Sequence, residues 1–206
     1  YLFLGHHAND NIETMIMRII RGSNLSGYSG MDPVTSFGEF YILRPFLNIL
    51  KEDIVKTANK RNIVFYEDLS NNEAYYTRNR IRQEIVPLLF MENASVDKQF
   101  AHFSFMLKGA SLIVTKKIDE YIQRNVTFFE NHIEFSRNGF LKNDLFLQTE
   151  IIFSLTKDYD LSKANVDELL KLINSNKQEL IFNNPYLILM FTIIPAVPNA
   201  ATRDHF

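Results

Sequence analysis

Apolar residues recur in two different rhythms along the first twenty positions. The chain opens YLFLGHHANDNIETMIMRIIRG, and the short apolar run over residues 1–4 ends at Gly5, as a buried strand feeding a loop would. From Asp10 onward Ile12, Met15, Ile16, Ile19 and Ile20 fall at helical spacing and predict a helix with one face to bury. At 100° per residue, Asp10, Glu13, Met17 and Arg21 line a separate stripe, with His6 in the loop just upstream. Polar groups therefore converge at a helix entrance. In an open α/β sheet, the crevice beyond the carboxyl end of a strand is where ligands bind.

Downstream, RGSNLSGYSGM reads as a glycine C-cap followed by turns, and FGEFYILRPF as a turn and a strand closed by Pro45. LKEDIVKTANKRNI predicts a helix with Leu50, Ile54 and Ala58 inward and Glu52 and Asp53 in its first turn. NIVFYEDLSN predicts a short strand running into a polar loop, which completes a βαβ rhythm and a parallel sheet. YYTRNRIRQEIVPLLF predicts a helix with Ile81, Ile85 and Leu88 inward, Arg78 and Arg82 on a shared outer face and Arg80 on another side. Pro87 is expected to distort or end it.

From about Glu92 the pattern becomes mostly helical. FAHFSFMLKGASLIVTKKIDEYIQRN predicts one long helix, VTFFENHIEF a hairpin turning at Asn131 and His132, and FLKNDLFLQTEIIFSLTKD and SKANVDELLKLINS two helices, the second capped by Ser162. ELIFNNPYLILMFTII reads as two β segments around Asn183, Asn184 and Pro185, and the tail after Pro195 as disordered or incomplete. Phe100, Phe103 and Phe105 are expected in a core rather than as base-stacking platforms.

Composition narrows this picture in three ways. The 206 residues suffice for one or two domains, with no cysteine for disulfides, thiolate metal sites or a cysteine nucleophile, which fits a cytoplasmic location. The strongest membrane candidate, PYLILMFTIIPAV, is too short to span a bilayer. A net charge of −2 means that any RNA contact must come from local patches, of which Arg18 with Arg21 and Arg78 with Arg80 and Arg82 are candidates. The opening inside an apparent core strand, without methionine, is expected of the remainder of something longer.

Two readings of the opening cluster stand side by side at this level. Asp10-x-x-Glu13 is a variant of the capping box, which would make the carboxylates helix-start devices, and the arginines could be a solvated basic face. The alternative is a site. Zinc at His6, His7 and Asp10 is the weaker form of it, because adjacent histidines point apart and no further ligand is in evidence.

Three stretches in order then bear on the choice: GHHANDNIETMIMRIIRGSNLSGYSGM, LRPFLNILKEDIV and YEDLSNNEAYYTRNRIRQEIVPLL. Together, over roughly residues 1–90, they resemble the bacterial tRNA(Ile)-lysidine synthetase family of PP-loop ATP pyrophosphatases. The resemblance implies an α/β fold class: the C-terminal half of a PP-loop (HUP-like, Rossmann-like) parallel-sheet domain over residues 1–91, followed by a mainly helical tRNA-binding domain over 92–206 with a short β segment near its end. It implies a ligase that uses ATP with Mg2+ to adenylate the C2 oxygen of the wobble cytidine of a tRNA(Ile) with a CAU anticodon. The ε-amine of free L-lysine then displaces AMP, and decoding changes from AUG to AUA.

By the same resemblance His6, Asp10 and Glu13 match one functional motif and TRNRIR a second. Asp10 and Glu13 are expected to position lysine or magnesium, and His6 to accept a proton or contact the activated cytidine. Arg78, supported by Arg82, is expected on the ATP or AMP phosphate, and Arg18, Arg21 and Arg80 on tRNA. Glu67, Asp68, Ser70 and Asn71 are expected to order the loop ahead of the arginine helix. No resident metal site is expected, and homodimerisation is implied by the resemblance alone. Two departures stand out. Asn9 replaces a commonly acidic residue, and the family's Ser-Gly-Gly-x-Asp-Ser loop occurs nowhere in these 206 residues. That loop is expected upstream of Tyr1, and this stretch alone is expected to be inactive without it. The rival readings are a PP-loop relative that thiolates tRNA, normally through cysteines, and a non-catalytic tRNA-binding remnant.

Overall fold

The computed structural model describes residues 1–66, 77–129, 133–157, 161–175, 179–184 and 187–192. It divides into two compact units, Tyr1–Val114 and Thr115–Phe206.

In the first unit β1 (Leu2–Phe3) runs parallel to β3 (Phe40–Leu43), Leu2 opposite Ile42 and Phe3 opposite Leu43. β2 (Val34–Phe37) pairs antiparallel with the other side of β3, giving the order β1-β3-β2. The FGEFYILRPF stretch is a turn and a strand, β3, as expected; β2, which precedes it and was not expected, makes the pair a hairpin, and Gly38 at φ 57 supplies the left-handed residue of its turn. Among the described residues the parallel part of the sheet is the β1–β3 pair. Residues 63–66 form no strand, against expectation: none of the three strands pairs with them, and unpaired extended backbone is not a strand. Residues 67–71, including the loop-ordering candidates Glu67, Asp68, Ser70 and Asn71, lie outside the described residues.

α1 (Ala8–Arg21) follows β1 and buries Ile12 and Met15, whereas Ile19 and Ile20 are 56% and 61% exposed, so the apolar stripe outruns the covered part of the helix. It ends at Gly22, whose φ of 81 few other residues tolerate. A single turn, α2 (Leu25–Tyr28), capped by Asn24, occupies the glycine-rich segment. α3 (Lys51–Lys60) keeps Ile54 and Ala58 half-buried.

The arginine segment departs from the expected helix. α4 (Thr77–Arg80) passes into a π turn (Ile81–Ile85) and then α5 (Val86–Glu92), with Pro87 in the first turn of α5. The N–H of Val86 bonds to the carbonyl of Ile81, one residue further back than in an α-helix. Widening the turn moves the carbonyl that Pro87 would otherwise strike. It also adds a residue to the period, so Ile81 and Val86 share the buried face with Ile12, while Ile85 and Leu88, expected inward, are exposed. α6 (Val96–Asn125) contributes Phe100 to this cluster. Phe103 and Phe105 are exposed, so the core reading holds for Phe100 alone.

The second unit holds the hairpin β4 (Val126–Phe128) and β5 (Ile133–Phe135), with its turn outside the described residues. The next predicted helix is two, α7 (Arg137–Leu141) and α8 (Leu145–Leu155), because Asp144 caps a new start. α9 (Lys163–Asn174) begins at Ser162 as expected, with a reciprocal bond to Asn165. Phe140, Ile151, Val166, Leu169 and Ile173 make the core of this unit. Arg137 ties the end of α9 by donating to the carbonyls of Ile173 and Ser175. β6 (Glu179–Asn184) and β7 (Leu187–Thr192) pair antiparallel on either side of the predicted turn, and residues 193–206 lie outside the described residues. Among the described residues no helix is long and apolar enough to cross a membrane.

Candidate active site

The start of α1 carries two stacked devices. His7, not Asp10, is the N-cap: the amide of Asp10 donates to His7 Nδ1 at 3.4 Å, and the amide of His7 donates to Asp10 Oδ2 at 3.0 Å. A capping box exists, but it is His7 with Asp10, one turn earlier than the Asp10-x-x-Glu13 version. Burial outweighs the carboxylates of Asp10 and Glu13 and lowers the His7 pKa from 6.5, which suits an imidazole that must accept through Nδ1.

Glu13 is thereby released from capping, and its side chain is 0% exposed. What makes that burial tolerable comes from far along the chain. Arg78 donates Nε to Glu13 Oε2 at 2.9 Å and Nη2 to Asp10 Oδ1 at 3.2 Å. Arg82 donates Nε to Glu13 Oε1 at 2.7 Å, and its Nη2 reaches Glu13 Oε2 at 3.0 Å and Asp10 Oδ1 at 3.1 Å. With the His7 amide on Asp10 Oδ2, all four carboxylate oxygens accept a hydrogen bond, and two negative charges meet two positive ones. The bond to Glu13, larger than the opposing cost of burial, raises the Arg82 pKa. Neither side chain is fully buried, Arg78 being 37% and Arg82 30% exposed.

The π turn contributes to this geometry. Arg82 is its second residue and Arg78 stands in α4 just ahead, so both lie on the side that faces α1. They do not form a solvated basic face. Arg80 points elsewhere, with Nη2 bonded to Thr77 Oγ1 at 3.2 Å.

Of the remaining candidates, His6 lies in the loop before α1 and accepts at Nδ1 from Arg44 Nε at 3.3 Å. The two histidines thus serve different partners. Arg18 gives Nη1 to the carbonyls of Gly27 and Gly30, and burial lowers its pKa. It holds the segment after α1 in place together with Asn11, whose Oδ1 accepts from the Met31 amide at 2.7 Å. Gly30, at φ +84, is required here because a Cβ would fall 2.4 Å from Asn11 Oδ1. Arg21 is exposed at the end of α1. Asn9 caps at a distance: its Oδ1 accepts from the Lys51 amide at 3.1 Å, at the start of α3, where Leu50 offers no side-chain bond.

Sequence reasoning passed over Arg44 and weighed His7 for zinc alone. Arg44 stands directly after β3 as His6 stands after β1, so a parallel β1–β3 pairing was the signal that both leave the same sheet edge together. Among the described residues no group of three His, Asp or Glu side chains could hold a metal ion. The acid pair does not fit a resident metal either, since its oxygens already face N–H donors.

The PP-loop domain family matches residues 1–89, the part that holds the whole acid–arginine cluster. The chain is 36% identical over 143 residues to a tRNA(Ile)-lysidine synthase of Bacillus cereus, covering 64% of this chain and 30% of that protein. It is 31% identical over 188 residues to that of a second Bacillus cereus strain, ATCC 14579, covering 83% of this chain and 38% of the relative. The tRNA(Ile)-lysidine synthase of Bacillus subtilis (strain 168) is 41% identical over 104 residues, 50% of this chain and 22% of that protein. The chain spans between 30% and 38% of the length of the first two relatives.

Proposed function

From a chain whose residues 1–89 match the PP-loop domain family and which is a relative of the tRNA(Ile)-lysidine synthases, we propose that this protein contributes the lysine-transfer wall of a lysidine-forming active site. The reaction is a carbon–nitrogen ligation on tRNA(Ile) with a CAU anticodon. ATP adenylates the C2 oxygen of the wobble cytidine with loss of pyrophosphate, and the ε-amine of free lysine then attacks C2 and expels AMP. The division into a catalytic part over 1–91 and a tRNA-facing part over 92–206, the cytoplasmic location and homodimerisation belong to the same reading. Mg2+ would arrive with ATP, and no step here is assigned to it.

One observation carries the proposal: Arg78 and Arg82 reach back across the chain to the buried carboxylates of Asp10 and Glu13. Such a cluster can do two things at once. The carboxylates hold the guanidinium planes, and the exposed part of Arg78 is available to phosphate, which suits Arg78 to ATP or AMP with Arg82 as its support. A lysine ammonium held beside the acid pair before it loses its proton would take over a carboxylate oxygen that now faces a guanidinium. His6 stands one turn ahead of Asp10, beside the reacting base in this reading. Arg21 and Arg80 are the proposed contacts to the tRNA backbone, and Arg18 acts there through the loop that it holds.

The test is lysine incorporation into a tRNA(Ile) transcript by the full-length enzyme. Glu13→Gln and Asp10→Asn are expected to lower turnover at least a hundredfold, with tRNA affinity changed less than threefold, effects of the size that positioned charges supply. Unchanged turnover in folded variants would return the pair to a purely structural role.

A further inference from the structure

We propose that Arg44 is a positioning residue that fixes the His6 ring in the tautomer with its proton on Nε2, so that His6 serves the reaction as a hydrogen-bond donor; this rests on the lysidine-synthase reading of the site. The sheet brings the two residues together. The amide of Leu4 donates to the Leu43 carbonyl at 2.9 Å, which extends the parallel pairing of β1 with β3 to their carboxyl ends. The residues that follow, His6 and Arg44, therefore leave the sheet side by side.

Arg44 is held before it meets the histidine. Its own amide donates to the Pro33 carbonyl at 2.8 Å, and its Nη1 donates to the Asp32 carbonyl at 2.9 Å and to Thr35 Oγ1 at 2.8 Å. A guanidinium tethered at that end has little freedom left at Nε. That Nε donates to His6 Nδ1 at 3.3 Å. Arginine carries only donors and keeps its proton at any ordinary pH, so Nδ1 must present a lone pair. The neutral ring then carries its proton on Nε2.

The consequence separates two roles that the sequence left open for His6. In this tautomer Nε2 can donate to an oxygen of the adenylated cytidine but has no lone pair with which to take the proton of the lysine ammonium. Protonating the ring would have to occur at Nδ1, at the expense of the Arg44 bond. His6 is thus a donor toward the C2 oxygen or the departing phosphate, and the proton acceptor is a different group.

The test reads the tautomer directly, by long-range 1H–15N NMR of the chain labelled with 15N-histidine, at an alkaline pH where imidazoles are neutral. The His6 signals are assigned by their loss in His6→Gln. His7, whose Nδ1 accepts from the Asp10 amide, is the internal control for an intact α1 start. The expected wild-type result is a His6 pattern with Nδ1 fully unprotonated. Arg44→Met, which keeps the stem and deletes the donors, is expected to turn it into an average of both tautomers while His7 stays as it was. A wild-type His6 that is averaged or protonated on Nδ1 overturns the proposal, and so does a His6 left fixed in Arg44→Met with His7 unaltered. Should Arg44→Met disturb His7 as well, Thr35→Val, which removes one tether of the guanidinium, is read in the same way. Because the readout does not involve turnover, a failed tautomer assignment leaves the synthase reading standing, and a chain without lysidine activity leaves the tautomer result standing.

Discussion

A fully buried glutamate is a liability unless it is paired, and at the residue scale this requirement explains most of the candidate site. Glu13 accepts from both Arg78 and Arg82, and removing either donor leaves part of its charge unmet. Arg82→Ala is expected to destabilise the protein by about 3 kcal/mol in urea unfolding, the order found for breaking buried pairs, whereas exposed Arg80→Ala should cost less than about 0.5 kcal/mol. His7 yields a second expectation, with a sign set by its lowered pKa. The folded state favours the neutral ring, so the unfolded chain binds the proton more readily, and the stabilisation is complete above the unfolded value of 6.5 and is lost as pH falls below it. Stability measured against pH should therefore decline on acidification below 6.5, and His7→Ser, which keeps an N-cap without a titrating ring, should flatten that part of the curve.

At the scale of elements, the π turn has the largest consequences. By carrying one extra residue ahead of Pro87 it exchanges the expected inward set of Ile81, Ile85 and Leu88 for Ile81 and Val86. The shift is testable by truncation. Val86→Ala should cost about 2 kcal/mol, from lost transfer energy and a residual cavity, and Leu88→Ala less than about 0.5 kcal/mol, where a regular α-helix would predict the larger loss at Leu88. Thermal or urea unfolding of the two variants decides it. The start of α1 is also tied to the start of α3 by two hydrogen bonds. The amide of Ala8 donates to the Ile49 carbonyl and Asn9 Oδ1 accepts from the Lys51 amide, so a neutral side chain supplies an oxygen to the start of the neighbouring helix. What it lacks is the charge that would favour that helix dipole.

For the whole molecule, a net charge of −2 means that the proposed tRNA binding would have to come from a few exposed arginines. If Arg80 meets a phosphate, Arg80→Ala should reduce the salt slope of tRNA binding by the full-length enzyme by about 1, and an unchanged slope would assign it elsewhere. The fold was legible in the sequence wherever one local rule was enough. Periodicity located α1, α3, α6 and α9, the side-chain chemistry of Ser162 marked a helix start, and polar breaks between β-prone runs marked the hairpins β4–β5 and β6–β7. His6 bonds to Arg44 instead of joining the acid–arginine cluster, but the four members of that cluster, Asp10, Glu13, Arg78 and Arg82, were all among the residues marked by the resemblance and in that sense were legible. The hairpin β2–β3, the π turn, the role of His7 as cap and the tether from Arg44 to His6 were not. Each depends on which backbone happens to lie alongside: a ladder partner for a short strand, a buried face that rewards one extra residue, a neighbour leaving the same sheet edge. Sequence by itself determined where helices could start and which charged groups were available for chemistry. Only the tertiary structure decided that two arginines would spend their donors on two carboxylates more than sixty positions away, because whether a charge is solvated or buried is a property of its surroundings rather than of its identity.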